Sequence, residues 1–397
     1  MGSRRRLRAG ILGLLALVGC DGERLGASPS VAFRLDSGFF ARDTGVDVGF
    51  PEAGAWPDLG VRPDGGRRDG GPAERCVCPV LPTACPATRT PTPVFSPGGT
   101  AFQALLLEEL ACAERSLRIA IYQATWPCLV DAIAARLAAA PELTVQLVVD
   151  DDQCPREGGV LGCALATLDG HPRVQLVDDG RSRYMHHKFV VTDDREVWVS
   201  SANFTDQSFC ADDNDALRVT EPAIVAAYAA EFDRLFATRD FGPKPPAPPV
   251  SAGPYTVYFG PVSPLDAPAP WFQAMIAAVD AARVSVEVCT SAWTRPELAD
   301  AMLAARARGV AIRALVPRAY ADAAPAQRLI DAGVPVRVEN VHSKWLVVDG
   351  RRVVTGSANW SQNAWANNEN SLWVDSATVA AAYVARFEQV WAGASGN

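Results

Sequence analysis

Histidine is scarce in this chain, with four in 397 residues. An excess of positive charge is also missing: 37 Lys and Arg face 45 Asp and Glu, for a formal net charge of −8. That balance excludes a protein coated in positive potential for wrapping long nucleic acid, though it leaves room for a local basic pocket. Beyond the first twenty residues there is no run of eighteen apolar residues, so no transmembrane helix is predicted. Cys76, Cys78 and Cys85 have no histidine or fourth cysteine nearby to close a zinc cluster, which favours disulfides over metal. No segment implies a cofactor or a metal site. What is present is an ordinary globular composition, 49% hydrophobic and 21% charged, in a chain long enough for two packed units.

The first residues read as an export signal. Arg4, Arg5, Arg6 and Arg8 precede a short apolar stretch from Ile11 to Val18, too short to span a bilayer. It ends in Leu17-Val18-Gly19-Cys20, which resembles a bacterial lipobox. The resemblance implies removal of residues 1–19 and lipidation of Cys20, and hence an exported protein lipid-anchored to a bacterial cell-envelope membrane on its periplasmic side. Ten cysteines suit such an oxidising compartment. With Cys20 committed, an odd number is left and at least one must stay unpaired within the chain. Cys112, in a helical pattern, and Cys289, in an apolar run, are expected as buried thiols, and Cys154 with Cys163 as a disulfide. Residues 20–97, rich in Gly, Pro and Asp, are expected as a flexible tether.

After the tether, helical and strand periodicities alternate. Helices are predicted over 102–114, 129–139 and 223–236, and strands over 117–121, 143–149, 174–177, 188–192 and 197–200. The order then repeats, with strands at 284–289, 310–316, 334–338, 345–348 and 353–355 and helices at 296–308 and 377–391. The fold class predicted is α/β: two similar lobes, 98–242 and 255–397, joined by a Pro-rich connector, 243–254. Each lobe is expected to be a mixed, largely parallel sheet flanked by helices.

The duplication carries the chemistry. His186-His187-Lys188 is followed by Asp193, and His342-Ser343-Lys344 by Asp349 at the same spacing, with a constant offset of 156 residues. The offset also matches Ser200-Ser201-Ala202-Asn203 with Gly356-Ser357-Ala358-Asn359. On a strand, His and Lys two residues apart share a face, so each half presents an imidazole beside an ammonium. Two such faces brought together suit a tetrahedral phosphate with negative oxygens.

These paired His-x-Lys-x4-Asp motifs, each followed by Ser-x-Asn, resemble the phospholipase D superfamily across roughly residues 100–394. The resemblance implies two lobes about a pseudo-twofold axis sharing one cleft. It further implies His186 as nucleophile through a covalent phosphohistidine and His342 as general acid and then base, an order that could be reversed. Lys188, Lys344, Asn203 and Asn359 would hold the non-bridging oxygens, with Ser201 and Ser357 adding hydrogen bonds. Asp193 and Asp349 belong to the motif and are expected to brace the lobes. Glu369 stands where the family places an acid that orients a catalytic imidazole; its first-half counterpart is Asp213 or Asn214, depending on the alignment, and Ser200 replaces the expected Gly.

The expected activity is metal-independent hydrolysis of phospholipid headgroups by a monomer. Cleavage of DNA or RNA is the alternative, because Gly356 to Trp360 followed by Asn367-Asn368-Glu369-Asn370 is similar to the nuclease-like branch of the superfamily. A non-catalytic phosphate-binding module is a second alternative. His171 and His187 are expected as bystanders, and Trp126, Trp198, Trp293, Trp345, Trp360, Trp365 and Trp373 mostly as core.

Overall fold

The computed structural model describes residues 77–97, 100–157 and 160–396. The expected signal peptide, Cys20 and most of the tether lie outside the described residues. The first lobe runs β1 (Val94–Ser96), α1 (Ala101–Cys112), β2 (Ser116–Ile121), α2 (Pro127–Ala139), β3 (Thr144–Val149), a small hairpin of β4 (Arg156–Glu157) and β5 (Val160–Leu161), β6 (Val174–Asp178), β7 (Lys188–Thr192), β8 (Glu196–Ser200), α3 (Asp206–Cys210), β9 (Asn214–Val219) and α4 (Pro222–Thr238). The second runs β10 (Val250–Ala252), β11 (Tyr255–Phe259), α5 (Pro270–Ala281), β12 (Ser285–Thr290), α6 (Pro296–Ala307), β13 (Ala311–Val316), α7 (Arg318–Ala321), α8 (Ala324–Asp331), β14 (Val336–Val338), β15 (Lys344–Val348), β16 (Arg352–Gly356), β17 (Asn370–Asp375), α9 (Ala377–Gly393) and β18 (Ser395–Gly396). Proline in the first turn starts α2, α4, α5, α6 and α8, where a missing N–H costs nothing. Among the described residues no helix is long and apolar enough to cross a membrane.

Each lobe is built on one mixed sheet, ordered β1-β9-β8-β7-β2-β3-β6 in the first and β10-β11-β17-β16-β15-β12-β13-β14-β18 in the second. The α/β class and the duplication hold, but the sheets are less parallel than expected. Parallel pairing is confined to β2-β3-β6 and β12-β13-β14. The motif strand β7 turns back into β8 through Asp193 to Arg195, and β15 into β16 through Asp349 to Arg351, loops far too short for a parallel crossover.

Side chains alternate across these strands. Val190 packs into the first lobe's own core, while its neighbours Phe189 and Val191 join a core shared by both lobes. In that shared core Val199, Tyr228 and Phe232 meet Cys289, Trp345, Val347 and Tyr383. The seven expected core tryptophans are all buried.

Residues 77–97 correct the tether reading. Disulfides Cys78–Cys128 and Cys85–Cys112 fasten them to the first lobe, β1 pairs antiparallel with β9, and Arg89 reaches Glu109 (2.8 Å) and Glu196 (3.1 Å). Cys112 is therefore bonded and not a free thiol. The helical pattern that buries it also points it at the returning chain. Cys154–Cys163 forms as expected, Cys210 is disulfide-bonded, and Cys289 is a buried free thiol.

Candidate active site

The segments leading into β7 and β15 cross the lobe boundary in the same way. His186 N donates to Asn368 O (3.0 Å), and Asn368 N to Tyr184 O (2.9 Å). In the mirror position His342 N donates to Asp213 O (2.8 Å), and Asp213 N to Asn340 O (3.1 Å). Each histidine thus enters its strand clamped by backbone from the opposite lobe.

The side chains repeat the exchange. His186 Nδ1 lies 2.8 and 2.9 Å from the two carboxylate oxygens of Glu369. His342 Nδ1 lies 2.8 Å from Asn214 Oδ1. Both partners are acceptors at Nδ1, which puts the ring proton there in the neutral form and turns Nε2 toward its chemistry. Lys188 Nζ donates to His186 O (2.9 Å) and Lys344 Nζ to His342 O (2.6 Å), so each ammonium curls against its own histidine. Lys344 Nζ is also 3.3 Å from His342 Nε2. Tyr122 packs its ring 5.0 Å from that of His186 and 5.1 Å from Lys188 Nζ. Both histidines and both lysines are buried.

A family model described as "Cardiolipin synthase, PLD-like domain" matches residues 106–236 and 275–391, over half of the chain. The chain belongs to the phospholipase D superfamily. It is 38% identical over 117 residues to a mitochondrial cardiolipin hydrolase of Xenopus tropicalis, covering 28% of this chain and 56% of that protein. The human mitochondrial cardiolipin hydrolase is 32% identical over 124 residues, covering 30% and 49%. The chain thus spans about half the length of the curated relatives it matches. A phosphatidylserine synthase from Haemophilus influenzae Rd KW20 shares the fold, with a TM-score of 0.58, 14% identity and coverage of 77% of this chain and 87% of that one.

Within this superfamily fold, Asp193 and Asp349 brace as expected, while Ser201 and Ser357 take another place. Asp193 and Asp349 sit at the far ends of β7 and β15 from the histidines, in a left-handed backbone conformation. Asp193 accepts from the backbone N–H of Glu114, Arg115 and Ser116, and Asp349 from Arg283, Val284 and Ser285. They tie each motif strand to the start of its neighbour, and neither touches the site. Burial opposes ionisation of Asp193, but those N–H groups and Arg195 outweigh it and hold the carboxyl below its ordinary range.

Ser201 and Ser357, expected at the phosphate, stand behind the acceptors. Ser201 Oγ donates to Asn214 Oδ1 (3.0 Å) and Ser357 Oγ to Glu369 Oε2 (2.6 Å), while each receives a backbone N–H, from Asp215 and Asn370. A hydroxyl has one proton, so neither has a second to give to a substrate oxygen. Glu369 lies against His186 Nδ1, where the superfamily resemblance places an acid that orients an imidazole. Asn203 and Asn359 are buried on the loops after β8 and β16, and Ser291 Oγ orients the Asn359 amide (2.9 Å).

His187 faces away, as expected, with Nε2 3.3 Å from Glu231 on α4 and burial pushing its pKa down. His171 lies in a loop, accepting from Arg173 N.

Sequence reasoning missed an acidic group beside the segment that leads into β7. Asp150, Asp151 and Asp179 follow β3 and β6, with carboxylate oxygens all within 4.8 Å of one another. Asp150 accepts from Met185 N (2.9 Å), one residue before His186. Burial, reinforced by repulsion from neighbouring carboxylates, pushes Asp150 up to about 7 and Asp179 up to about 8. Val149 pairs with Asp178, so Asp150 and Asp179 leave adjacent parallel strands at the same level, a signal legible only once β3-β6 pairing is known.

Proposed function

We propose that the chain is a phospholipase D-type phosphodiesterase that hydrolyses phospholipid headgroups through a covalent phosphohistidine, without a metal ion. The observation that carries this reading is the reciprocal clamp: two His-Lys pairs, each histidine held at Nδ1 by a side chain of the other lobe. In-line displacement needs a nucleophile on one side of phosphorus and a proton donor on the other, which two such histidines supply.

His186 Nε2 attacks phosphorus, the bond to the leaving oxygen breaks, and His342 gives that oxygen its proton. Water then gives a proton to His342 and its oxygen to phosphorus, and the P–N bond breaks. Lys188, Lys344, Asn203 and Asn359 bear on the non-bridging oxygens. The ring of His186 gains positive charge as the P–N bond forms, and the Glu369 carboxylate stabilises it.

The names of the cardiolipin hydrolase relatives favour a phospholipid substrate over nucleic acid, as does the acidic net charge. A lipid anchor at Cys20 would hold the enzyme at its substrate. The test is an assay with EDTA present across vesicles of cardiolipin, phosphatidylethanolamine and phosphatidylcholine, and across single-stranded DNA and RNA. Headgroup release that survives EDTA is the expected result. Loss of turnover on chelation, restored by a divalent ion, would move attention to the Asp150–Asp151–Asp179 group. Cleavage of nucleic acid alone would make the protein a nuclease, and phosphate binding without turnover of any diester a binding module.

A further inference from the structure

The clamp is built the same way in both halves, but the side chain that accepts from the histidine Nδ1 differs in charge. Glu369 follows the loop after Asn359 and bonds Ser357 and the histidine of the other lobe; Asn214 follows the loop after Asn203 and bonds Ser201 and the histidine of the other lobe. One histidine is therefore held by a carboxylate and the other by an uncharged amide. The orientation of that amide is set by its surroundings. Asn214 Nδ2 donates to Ser208 O (2.9 Å), which leaves Oδ1 to face His342 and Ser201.

We propose that Asn214 is a positioning residue that divides the labour between the two histidines, by orienting His342 without supplying the negative charge that Glu369 supplies to His186. The proposal rests on the two-step reading above. A carboxylate at Nδ1 stabilises a cationic ring, which suits the nucleophile because its ring becomes cationic when it bonds to phosphorus. The proton donor must instead surrender its proton in the transition state, and an amide keeps the ring aimed while leaving that proton easier to lose.

Among the described residues, the charged and titratable groups near His342 are engaged by other partners. Lys344, on the same strand, adds positive charge near Nε2. Asp213 is engaged by Arg386 of α9 (2.7 Å) and by Ser343, Asp215 by Tyr383 (2.6 Å) and Thr355, and Asp212 by Gln207 and Asn340. Cys289, on β12, is a buried thiol whose pKa burial raises well above its ordinary value.

Two substrates distinguish the roles: vesicles of cardiolipin, whose leaving group is an alkoxide that needs a proton, and bis(p-nitrophenyl) phosphate, whose leaving group does not. For Asn214→Ala, kcat on cardiolipin falls roughly a hundred-fold, while the first-turnover burst of p-nitrophenolate persists. For Glu369→Gln the burst itself slows. For Asn214→Asp, the alkaline limb of kcat on cardiolipin moves up by about one pH unit. Aspartate would set an oxygen against Ser208 O, so thermal melts come first, and Asn214→Ala carries the test if the aspartate variant does not fold. Full kcat on cardiolipin in Asn214→Ala, or equal loss of the burst in both variants, overturns the proposal. Acid-quenched digestion after reaction of His342→Ala separates the underlying reading. A phosphoryl adduct on His186 supports it, an adduct on His171 or His187 sinks it, and an adduct-free burst removes the covalent step while the effect of Asn214 on the leaving group still stands.

Discussion

The Gly-to-Ser difference between the repeats shows how one residue is accommodated at the heart of a site. Gly356 closes β16 at φ +130, where a Cβ would overlap the carbonyl oxygen of Asn370, so only glycine fits. Ser200, in the matching place, does not take a left-handed backbone; its Oγ instead donates to Asp215 O (2.7 Å) and accepts from Ala202 N (2.9 Å). The turn that glycine makes by conformation, serine makes by hydrogen bonds. Gly356→Ala is expected to destabilise the fold by about 1–3 kcal/mol, read as a lower urea midpoint. Ser200→Gly should cost about 1 kcal/mol through the two lost bonds. An unchanged midpoint for Gly356→Ala would mean that β16 and β17 part easily at this point.

The carboxyls behind Met185 give a second expectation at this scale. Asp150 and Asp179 are pushed up to about 7 and about 8, first by burial and then by neighbouring carboxylates, Asp152 and Asp151 for Asp150 and chiefly Asp150 for Asp179. The folded chain then binds more protons than the unfolded one between about pH 4 and 8. Their favourable contribution is complete below pH 4 and is lost as pH rises through 7 to 8. Asp179→Asn removes part of this slope. It should raise Tm relative to the parent at pH 8, by a change on the order of 1 kcal/mol, and leave Tm nearly unchanged at pH 4. Parallel Tm curves for the two proteins across that range would refute the assignment.

At the scale of elements, the segment before α1 is the feature that composition concealed. Its Gly- and Pro-rich approach reads as tether, yet residues 77–97 supply a sheet strand and two disulfides, and Arg386 of α9 donates to Ser96 O (2.8 Å) while holding Asp213. Six prolines between residues 77 and 97 interrupt any apolar period, so periodicity does not reveal the segment, which bonds of other kinds fix. The double variant Cys85→Ser with Cys112→Ser, which opens a loop of sequence separation 27, is expected to lose about 2–4 kcal/mol in urea unfolding. No measurable loss would show that Cys78–Cys128, the β1-β9 pairing and the Arg89 ion pairs suffice to hold the segment.

Strands β9 and β17 were hidden for a related reason. They open on Asn214-Asp215 and Asn370-Ser371, polar residues whose partners are in the other lobe, so no period-two apolar pattern announces them. By contrast β7 reproduces its predicted bounds and most paired elements fall within two residues of theirs, because their apolar runs are continuous. The motif histidines and lysines were legible from the repeated spacing, and Glu369 from the resemblance to the superfamily. The identity of the first-half acceptor was not, because the offset between repeats falls from 156 to 155 somewhere between Asn203 and Asn214, and only the strand register settles it: Ser200 pairs with Ala216 and Gly356 with Ser371.

For the whole molecule, the decisive property is that neither lobe contains a complete site. His186 takes its acceptor from the second lobe and His342 from the first, and the apolar core between the sheets is shared by both. One chain thus does for itself what two identical subunits could do by exchanging residues across a twofold axis. If the active species is a monomer, activity should track protein concentration linearly on dilution, and sedimentation should report the mass of one chain. The sharper test mixes two inactive proteins. His186→Ala and His342→Ala should each lose at least roughly a hundred-fold in kcat. Because each chain closes its site around its own pair of lobes, the mixture should be as inactive as its parts. A dimer that swaps lobes would instead build one intact site in each mixed pair, and about a quarter of parental activity would return on mixing after partial unfolding and refolding. Recovery without any unfolding step would mean that the lobes exchange partners in the folded state, which the shared core and the reciprocal backbone bonds at Asn368 and Asp213 are expected to prevent.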